Sequence, residues 1–224
     1  MDSLSGVGVL DKTVAVLTAL EAGPRSLAAL TDETGLTRAT AHRLAAALTV
    51  HGLVRRDSDG RFCLGLRLIG LGSVAARALP GWLDAGPVLA RLRTDTGESV
   101  QLFVRDGDAR VCVESLDGPH ELRTIVPVGA RLPLDRGSAG KVLADDGPPL
   151  SRGGWAESIA ERQEGVASVS APVRDDAGHV VAAVCVSGPL GRIGQRPGRR
   201  HGPAVVAAAD EISAPVVLGR EKRG

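Results

Sequence analysis

Between residues 26 and 48, two stretches of helical apolar spacing are separated only by Gly35, Leu36 and Thr37. That punctuation restricts the fold more than any other feature of the chain. Two helices joined by so tight a Gly-containing turn have the grammar of a helix-turn-helix. Ser26 is placed to cap the first helix, which carries Leu27, Leu30 and Thr31 on one face and closes at Thr34-Gly35. Thr37 is placed to cap the second, accepting from the free amide of Ala39 or Thr40. Beyond it Ala41, Leu44, Ala45 and Leu48 recur at helical spacing as an apolar stripe. Arg38, Thr40, His42 and Arg43 lie off that stripe in the first two turns. Such a helix suits a DNA major groove, where Arg pairs with guanine edges and Thr meets a thymine methyl or a phosphate. A solvated helix with two ordinary arginines would look the same in isolation, so the flanking sequence decides.

The flanks favour the DNA reading. Met1 to Gly8 reads as a small, Gly-rich arm. Asp11 is expected to open a first helix, with Val14, Leu17, Ala19 and Leu20 apolar and Gly23-Pro24 ending it. After His51-Gly52, Leu53 to Arg56 and Arg61 to Leu64 read as strands around the turn Asp57-Ser58-Asp59-Gly60. Asp-Gly between two such runs is a strong hairpin signal, and a hairpin directly after the third helix is a wing. From Thr37 to Arg61 there are five arginines against Asp57 and Asp59. Arg55, Arg56 and Arg61 on the wing would hold phosphates while the helix reads bases. The net charge is only +1, so DNA contact has to come from this local patch.

Leu66 to Leu79 is predicted as a linker helix, with Leu66, Ile69, Val74 and Leu79 apolar and Pro80-Gly81 as its stop. Gly70 to Ala75 fits the dinucleotide pattern GxGxxA. Its surroundings are helical rather than strand-turn-helix, so close helix packing explains it better. A second domain follows. A helix is expected over Trp82 to Thr94, and a cap and turn at Thr96-Gly97-Glu98. Strands are expected over Ser99 to Val104, Ala109 to Ser115 and Leu122 to Val128, the last broken by Pro127. A short helix starts in Gly137 to Lys141 and ends near Ala144. A polar, Gly/Pro-rich stretch follows from Asp145, and Trp155 to Gln163 reads as helical or irregular. Val166 to Pro172 and Val180 to Ser187 are strands joined by a turn at Asp175 to Gly178, and Ala204 to Ile212 is a final helix. Hairpins flanked by helices indicate an α+β domain with an antiparallel sheet.

Composition excludes several classes. Aromatic residues make up 2% of the chain, with no Tyr, so the stacking platforms of single-strand binders are missing. Cys63, Cys112 and Cys185 form neither a CxxC pair nor an even disulfide framework, which suits a reducing cytoplasm. Neither they nor the five histidines show metal-ligand spacing, so no metal or cofactor is expected. The N-terminus lacks the pattern of a signal peptide, and no apolar run is long enough for a membrane span. An enzyme is the rival class, but no GxSxG elbow, P-loop or recognisable nucleophile context appears, and no catalytic residue is nominated.

In order and spacing, Thr96-Gly97-Glu98-Ser99, Gly137-Ser138-Ala139-Gly140-Lys141, Gly165 to Val173 and Val186-Ser187-Gly188-Pro189 follow the winged helix-turn-helix. From about Val9 to Ile212 the chain resembles the IclR-type transcriptional regulators. Its C-terminal half, with Arg196-Pro197-Gly198-Arg199-Arg200-His201, is most similar to the NdgR/AreB group of actinomycete regulators of amino-acid metabolism, leucine biosynthesis and antibiotic production. The resemblance implies three parts: a winged helix-turn-helix over residues 1–65, a linker helix over 66–80 and a GAF-like effector domain over 81–224. It implies a homodimer or homotetramer on a double-stranded operator with paired half-sites. It also implies a pocket for a small carboxylate or amino acid. Ser138 and Ala139 match positions whose amides face an effector carboxylate. Ser168, Cys185 and Ser187 match strand positions pointing into the pocket, and Leu132 and Val166 its apolar wall. Core packing is the competing role for Leu132 and Cys185. One departure stands out: Asp145 to Gly153 replaces a longer helical segment that such regulators carry beside the pocket. A ligand-independent regulator with a vestigial pocket is therefore the alternative reading, and a GAF-like enzyme a more distant one.

Overall fold

The computed structural model describes residues 5–77 and 82–213. The chain divides into two compact units, Met1–Ala78 and Leu79–Gly224.

In the first unit, α1 (Gly8–Ala19), α2 (Leu27–Thr34) and α3 (Arg38–Val50) are followed by the hairpin strands β1 (Val54–Arg56) and β2 (Phe62–Leu64) and by α4 (Arg67–Arg77). Val16, Leu30, Ala41, Ala45, Leu48, Val54 and Phe62 are buried together where the three helices meet the hairpin. Ser26 caps α2 by accepting from the Ala29 amide at 3.2 Å. The α2–α3 turn is possible because Gly35 adopts φ 67°, a left-handed conformation that a Cβ would oppose. Arg25 pairs with Phe62 through two 2.8 Å backbone hydrogen bonds and so adds a third backbone segment to the wing. The first helix begins three residues before Asp11. That carboxylate sits in the first turn, where it accepts from the Ser5 amide at 3.2 Å and favours the helix N-terminus without being its cap. Gly70 and Gly72 lie within α4, and no described atom comes within 4 Å of where a Cβ would stand. The packing expected of them is therefore not found among the described residues. The stop expected at Pro80-Gly81 falls outside the described residues.

In the second unit, α5 (Trp82–Thr96) leads into β3 (Ser99–Asp106), β4 (Ala109–Leu116), β5 (Arg131–Pro133) and α6 (Ser138–Leu143). Then come β6 (Ala156–Ile159), β7 (Val166–Arg174), β8 (Val180–Pro189), α7 (Leu190–Ile193) and α8 (Pro197–Ser213). The six strands form one antiparallel sheet in the order β5-β4-β3-β8-β7-β6. The alternation of each strand divides its residues between two cores. Val100, Leu102, Val169, Val184 and Val186 face α5 and α8. Phe103, Cys112, Ala183 and Cys185 face α6.

Three expectations are corrected. Leu122 to Val128 is not a ladder strand. Thr124 and Val126 turn inward while Leu122, Ile125 and Val128 stay exposed, but no neighbouring strand pairs with the segment, and Pro127 has no N–H to offer. The third strand is Arg131–Pro133 instead. Within Trp155 to Gln163, Ala156–Ile159 forms a strand because it pairs with Ala167–Ser170 of β7, a partner beyond the reach of local propensity. The last helix starts at Pro197, seven residues before Ala204, although it contains Gly198, Gly202 and Pro203. Packing overrides propensity here: a Cβ on Gly202 would stand 2.5 Å from the Trp155 ring, so only glycine lets that ring lie against the helix backbone.

Glu98 and Arg192 close the end of the sheet. Glu98 is buried and accepts from Nε and Nη2 of Arg192 at 2.6 and 2.7 Å. His201 on α8 is also buried, and its Nε2 has no partner among the described residues. Burial, reinforced by Arg200, holds its pKa below the ordinary 6.5. The unfolded chain thus takes up this proton more readily than the folded one. Stability carried by neutral His201 is full above about pH 6.5 and is lost as pH falls through and below that value. Thermal unfolding between pH 5 and 8 is expected to show this acid loss, and His201→Gln to flatten it relative to the parent. Equal acid slopes in the two proteins would remove His201 as the cause.

Candidate DNA-reading surface and buried cavity

On α3 the Thr37 hydroxyl accepts from the Thr40 amide at 3.3 Å and donates to the Thr40 hydroxyl at 3.0 Å, fixing the N-terminal turn. Ala41, Ala45 and Leu48 are buried, so the opposite face is presented outward. Thr37, Arg38, His42 and Arg43 are exposed there, and Thr40 is half-buried. Arg38, His42 and Arg43 have no ion pair or side-chain hydrogen bond to a described residue.

The wing arginines differ from one another. Arg55 is exposed and equally uncommitted. Arg56 lies over the Phe62 ring, 4.1 Å from its centroid, and donates to the Gly60 carbonyl. Arg61 is held by Asp57 and Asp59, each at 2.9 Å. Burial opposes the charge on Asp57, but the Arg61 backbone and guanidinium bonds win and keep its carboxyl below the usual range. Of the three, Arg55 is the one whose whole charge is available to a phosphate.

In the second unit, β3, β8, β7 and β6 turn Gln101, Cys185, Ser187, Ser168 and Ser158 toward a cavity beneath the start of α6. Leu132, Ser138, Ala139, Val166, Ser168, Cys185 and Ser187, predicted from the resemblance, all line it. Its volume is about 20 Å³, roughly the space that one water centre requires. Ser138 is the hub. Its hydroxyl donates to Ser168 Oγ at 2.7 Å, shares a hydrogen bond with Ser170 Oγ at 2.8 Å and lies 3.8 Å from Cys185 Sγ. Ser187 donates to Gln101 Oε1 at 2.9 Å. The hydroxyls therefore satisfy one another. Burial raises the thiol pKa of Cys185, and pushes that of Cys112 up to about 12, so both remain thiols.

Sequence reasoning missed Gln101, Phe103, Arg110, Val126, Ser158 and Arg162, which share this lining. The signal for Arg110 was present: it falls on an alternating strand in phase with Cys112, an interior position for a charged residue. Among the described residues no cluster of His, Cys, Asp and Glu could hold a metal ion, and no helix is long and apolar enough to cross a membrane.

Comparison with known proteins adds independent observations. The model of the IclR helix-turn-helix domain matches residues 9–58. That of the bacterial transcriptional regulator IclR C-terminal domain matches residues 83–149 and 150–214, two pieces that meet between Pro149 and Leu150. The HTH-type transcriptional repressor AllR of Escherichia coli K12 is 27% identical over 248 aligned residues, covering 95% of this chain and 92% of AllR. The glycerol operon regulatory protein of Streptomyces griseus is 31% identical over 224, covering 82% and 85%. With the regulator KipR of Bacillus subtilis the match is 31% over 118 residues and spans 47% of that protein. Among solved structures, an IclR homologue of Microbacterium hydrocarbonoxydans complexed with 4-hydroxybenzoate superposes with a TM-score of 0.76 at 23% identity. Thermotoga maritima IclR gives 0.73 at 21%. Each covers 92% of this chain and 97% of its own, a likeness of fold.

Proposed function

Because the chain belongs to the IclR family of bacterial transcriptional regulators, whose members are not enzymes, we propose that it binds a double-stranded operator through α3 and the wing. The observation that carries this reading is the uncommitted set Arg38, His42 and Arg43 on a helix whose other face is buried. These side chains are proposed to read base edges, with Thr37 and Thr40 at the helix start and Arg55, Arg56 and Arg61 on flanking phosphates. Gel shifts on the promoter of the protein's own operon at two salt concentrations test it. A specific shift that weakens with salt is expected, and no specific shift at moderate salt would end the proposal. Arg55→Ala is expected to weaken all sequences alike and to lower the salt slope by about 0.9, one phosphate's worth. Arg61→Ala is expected to do less, since Asp57 and Asp59 already neutralise that charge.

The assembly proposed is a homodimer or a homotetramer built from it. Exposed Val9, Leu10 and Val14 on α1, and Ile69, Leu71 and Val74 on α4, support it, since such rows are rare on a monomer's surface. Repression is the proposed sense of control, after AllR. The proposed targets are genes of amino-acid, leucine-type or secondary metabolism, by likeness to the NdgR/AreB group.

The cavity is the proposed effector site, for a small carboxylate or amino acid. A ligand larger than water has to enlarge it, so such an effector favours an opened form of this unit over the one described here. That difference in affinity is what an effector needs in order to shift a population. The mutually satisfied hydroxyls favour a second reading, a regulator that works without a ligand. Calorimetry with branched-chain amino acids, 2-oxo acids and dicarboxylates separates the two, and heat from none of them favours the second.

A further inference from the structure

The cavity holds a charge that has no ion pair among the described residues. Arg110, on β4, is 2% exposed. Its Nη1 donates to the carbonyls of Pro133 and Arg136, its guanidinium lies 5.5 Å from the centroid of the Phe103 ring, and its Nε has no partner among the described residues. No carboxylate among the described residues forms an ion pair with it. The surrounding backbone makes room for it: a Cβ on Gly140 would stand 2.8 Å from Nη1, and one on Gly137 3.1 Å from Nη2. A buried charge is ordinarily paired, because removing it from water is costly and only an opposite charge or full hydrogen bonding offsets the loss.

The other charges nearby are paired with one another, and Asp135 also favours the Arg110 charge without forming an ion pair with it. Lys141 pairs with Glu161, and Arg136 with Asp135. That leaves Arg162, half-buried on the same lining and without an ion pair among the described residues. Gln101 adds a further donor, since its Nε2 is buried against the cavity and unpartnered. Two guanidiniums without an ion pair among the described residues and a free amide N–H group, beside serine hydroxyls that can turn their protons inward, describe a receptor rich in donors.

We propose that this cavity takes a small dianion, a dicarboxylate or a phosphate monoester, with one negative group on Arg110 and Gln101 and the other on Arg162. The proposal rests on the reading of the cavity as an effector site and names the chemistry that site selects. A monoanion would leave one guanidinium unmatched. A neutral ligand would leave both unmatched and add to the desolvation of Arg110.

The test is calorimetry on the full-length protein with succinate, glutarate and inorganic phosphate, against butyrate and valerate as monoanions of matched length. A dianion is expected to bind at least ten-fold more tightly than the monoanions, and the phosphate arm tells a phosphate ligand from a dicarboxylate. Arg110→Met is expected to lose this binding, with circular dichroism reporting whether it folds. Arg162→Met, at a half-buried position, is expected to bring the dianion-to-monoanion ratio close to one. Equal affinity for both classes, no binding by any dianion, or unchanged binding in folded Arg110→Met or in Arg162→Met would overturn the proposal. Ser168→Phe, which fills the cavity, separates this from the underlying reading. If monoanions or 4-hydroxybenzoate bind the parent without dianion preference and fail to bind Ser168→Phe, the effector site stands and the dianion falls. If Ser168→Phe binds every ligand as the parent does, both fall.

Discussion

Arg43→Ala is expected to weaken binding to the specific operator by about 1–3 kcal/mol, the range of one good bidentate base contact. That is a loss of roughly 5- to 150-fold in affinity. Arg43 is exposed, has no partner among the described residues and sits opposite the buried Ala41–Ala45–Leu48 face. Truncating it removes nothing from the core, and its effect on stability should stay within about 0.5 kcal/mol. The informative readout is competition between operator and unrelated DNA. A base-reading arginine loses discrimination between the two. A phosphate-holding one loses affinity for both and leaves the ratio unchanged. An unchanged ratio would move the reading role to Arg38 or His42, and unchanged affinity would remove α3 as the reading element.

Arg192→Met is expected to destabilise the second unit by up to about 3 kcal/mol, the low end of the cost of breaking a fully buried pair, because Glu98 is buried but Arg192 keeps 29% of its side chain exposed. For a unit of this size that lowers the melting temperature by up to about 10 °C. Glu98 keeps only 3% of its side-chain surface exposed, and the methionine gives it no donor in place of the two short bonds at 2.6 and 2.7 Å. Replacing both partners, Arg192→Met with Glu98→Gln, removes the stranded charge and should recover a large part of the loss. If the double variant is no more stable than the single, the effect comes from lost packing of the arginine stem. Gly188→Ala reaches the same pair from the other side, because its Cβ would stand 2.2 Å from Glu98 Oε2. It should lower the melting temperature with both charges still present.

The N-terminal unit was legible because its signals are local. Ser26, Gly35 and Thr37 act within four residues of themselves, and each does in the structure what its chemistry suggests. The Asp-Gly turn of the wing is equally local. The second unit was legible where alternation and turn chemistry coincide, as in β3, β4, β7 and β8. It failed where a distant partner decides. Ala156–Ile159 is a strand because β7 lies beside it, and α8 tolerates Gly198, Gly202 and Pro203 because Trp155 packs on its backbone. Leu122 to Val128 shows the opposite failure, strand alternation with no neighbour to pair with. The cavity was legible only through family likeness. Its individual motifs are short, and the one feature physical reasoning could have flagged, a charged residue in the interior phase of a strand, was Arg110. The wing arginines could be counted from the sequence, but their internal commitments could not, because Phe62 and Asp57 claim two of them only in the folded hairpin.

The strand order bears on what happens when many copies of the protein are crowded together. An open sheet has two free margins, and unpaired backbone groups there can recruit strands from other molecules. In this sheet the margins are β5 and β6, the two shortest of its strands at three and four residues. β5 carries Arg131 and Pro133, a charge and a residue without an N–H, both suited to blocking strand addition. The long valine-rich strands β7 and β8, which would template other chains most readily, are both flanked on two sides. Aggregation of this protein should therefore track the opening of the sheet and not the concentration of its folded form.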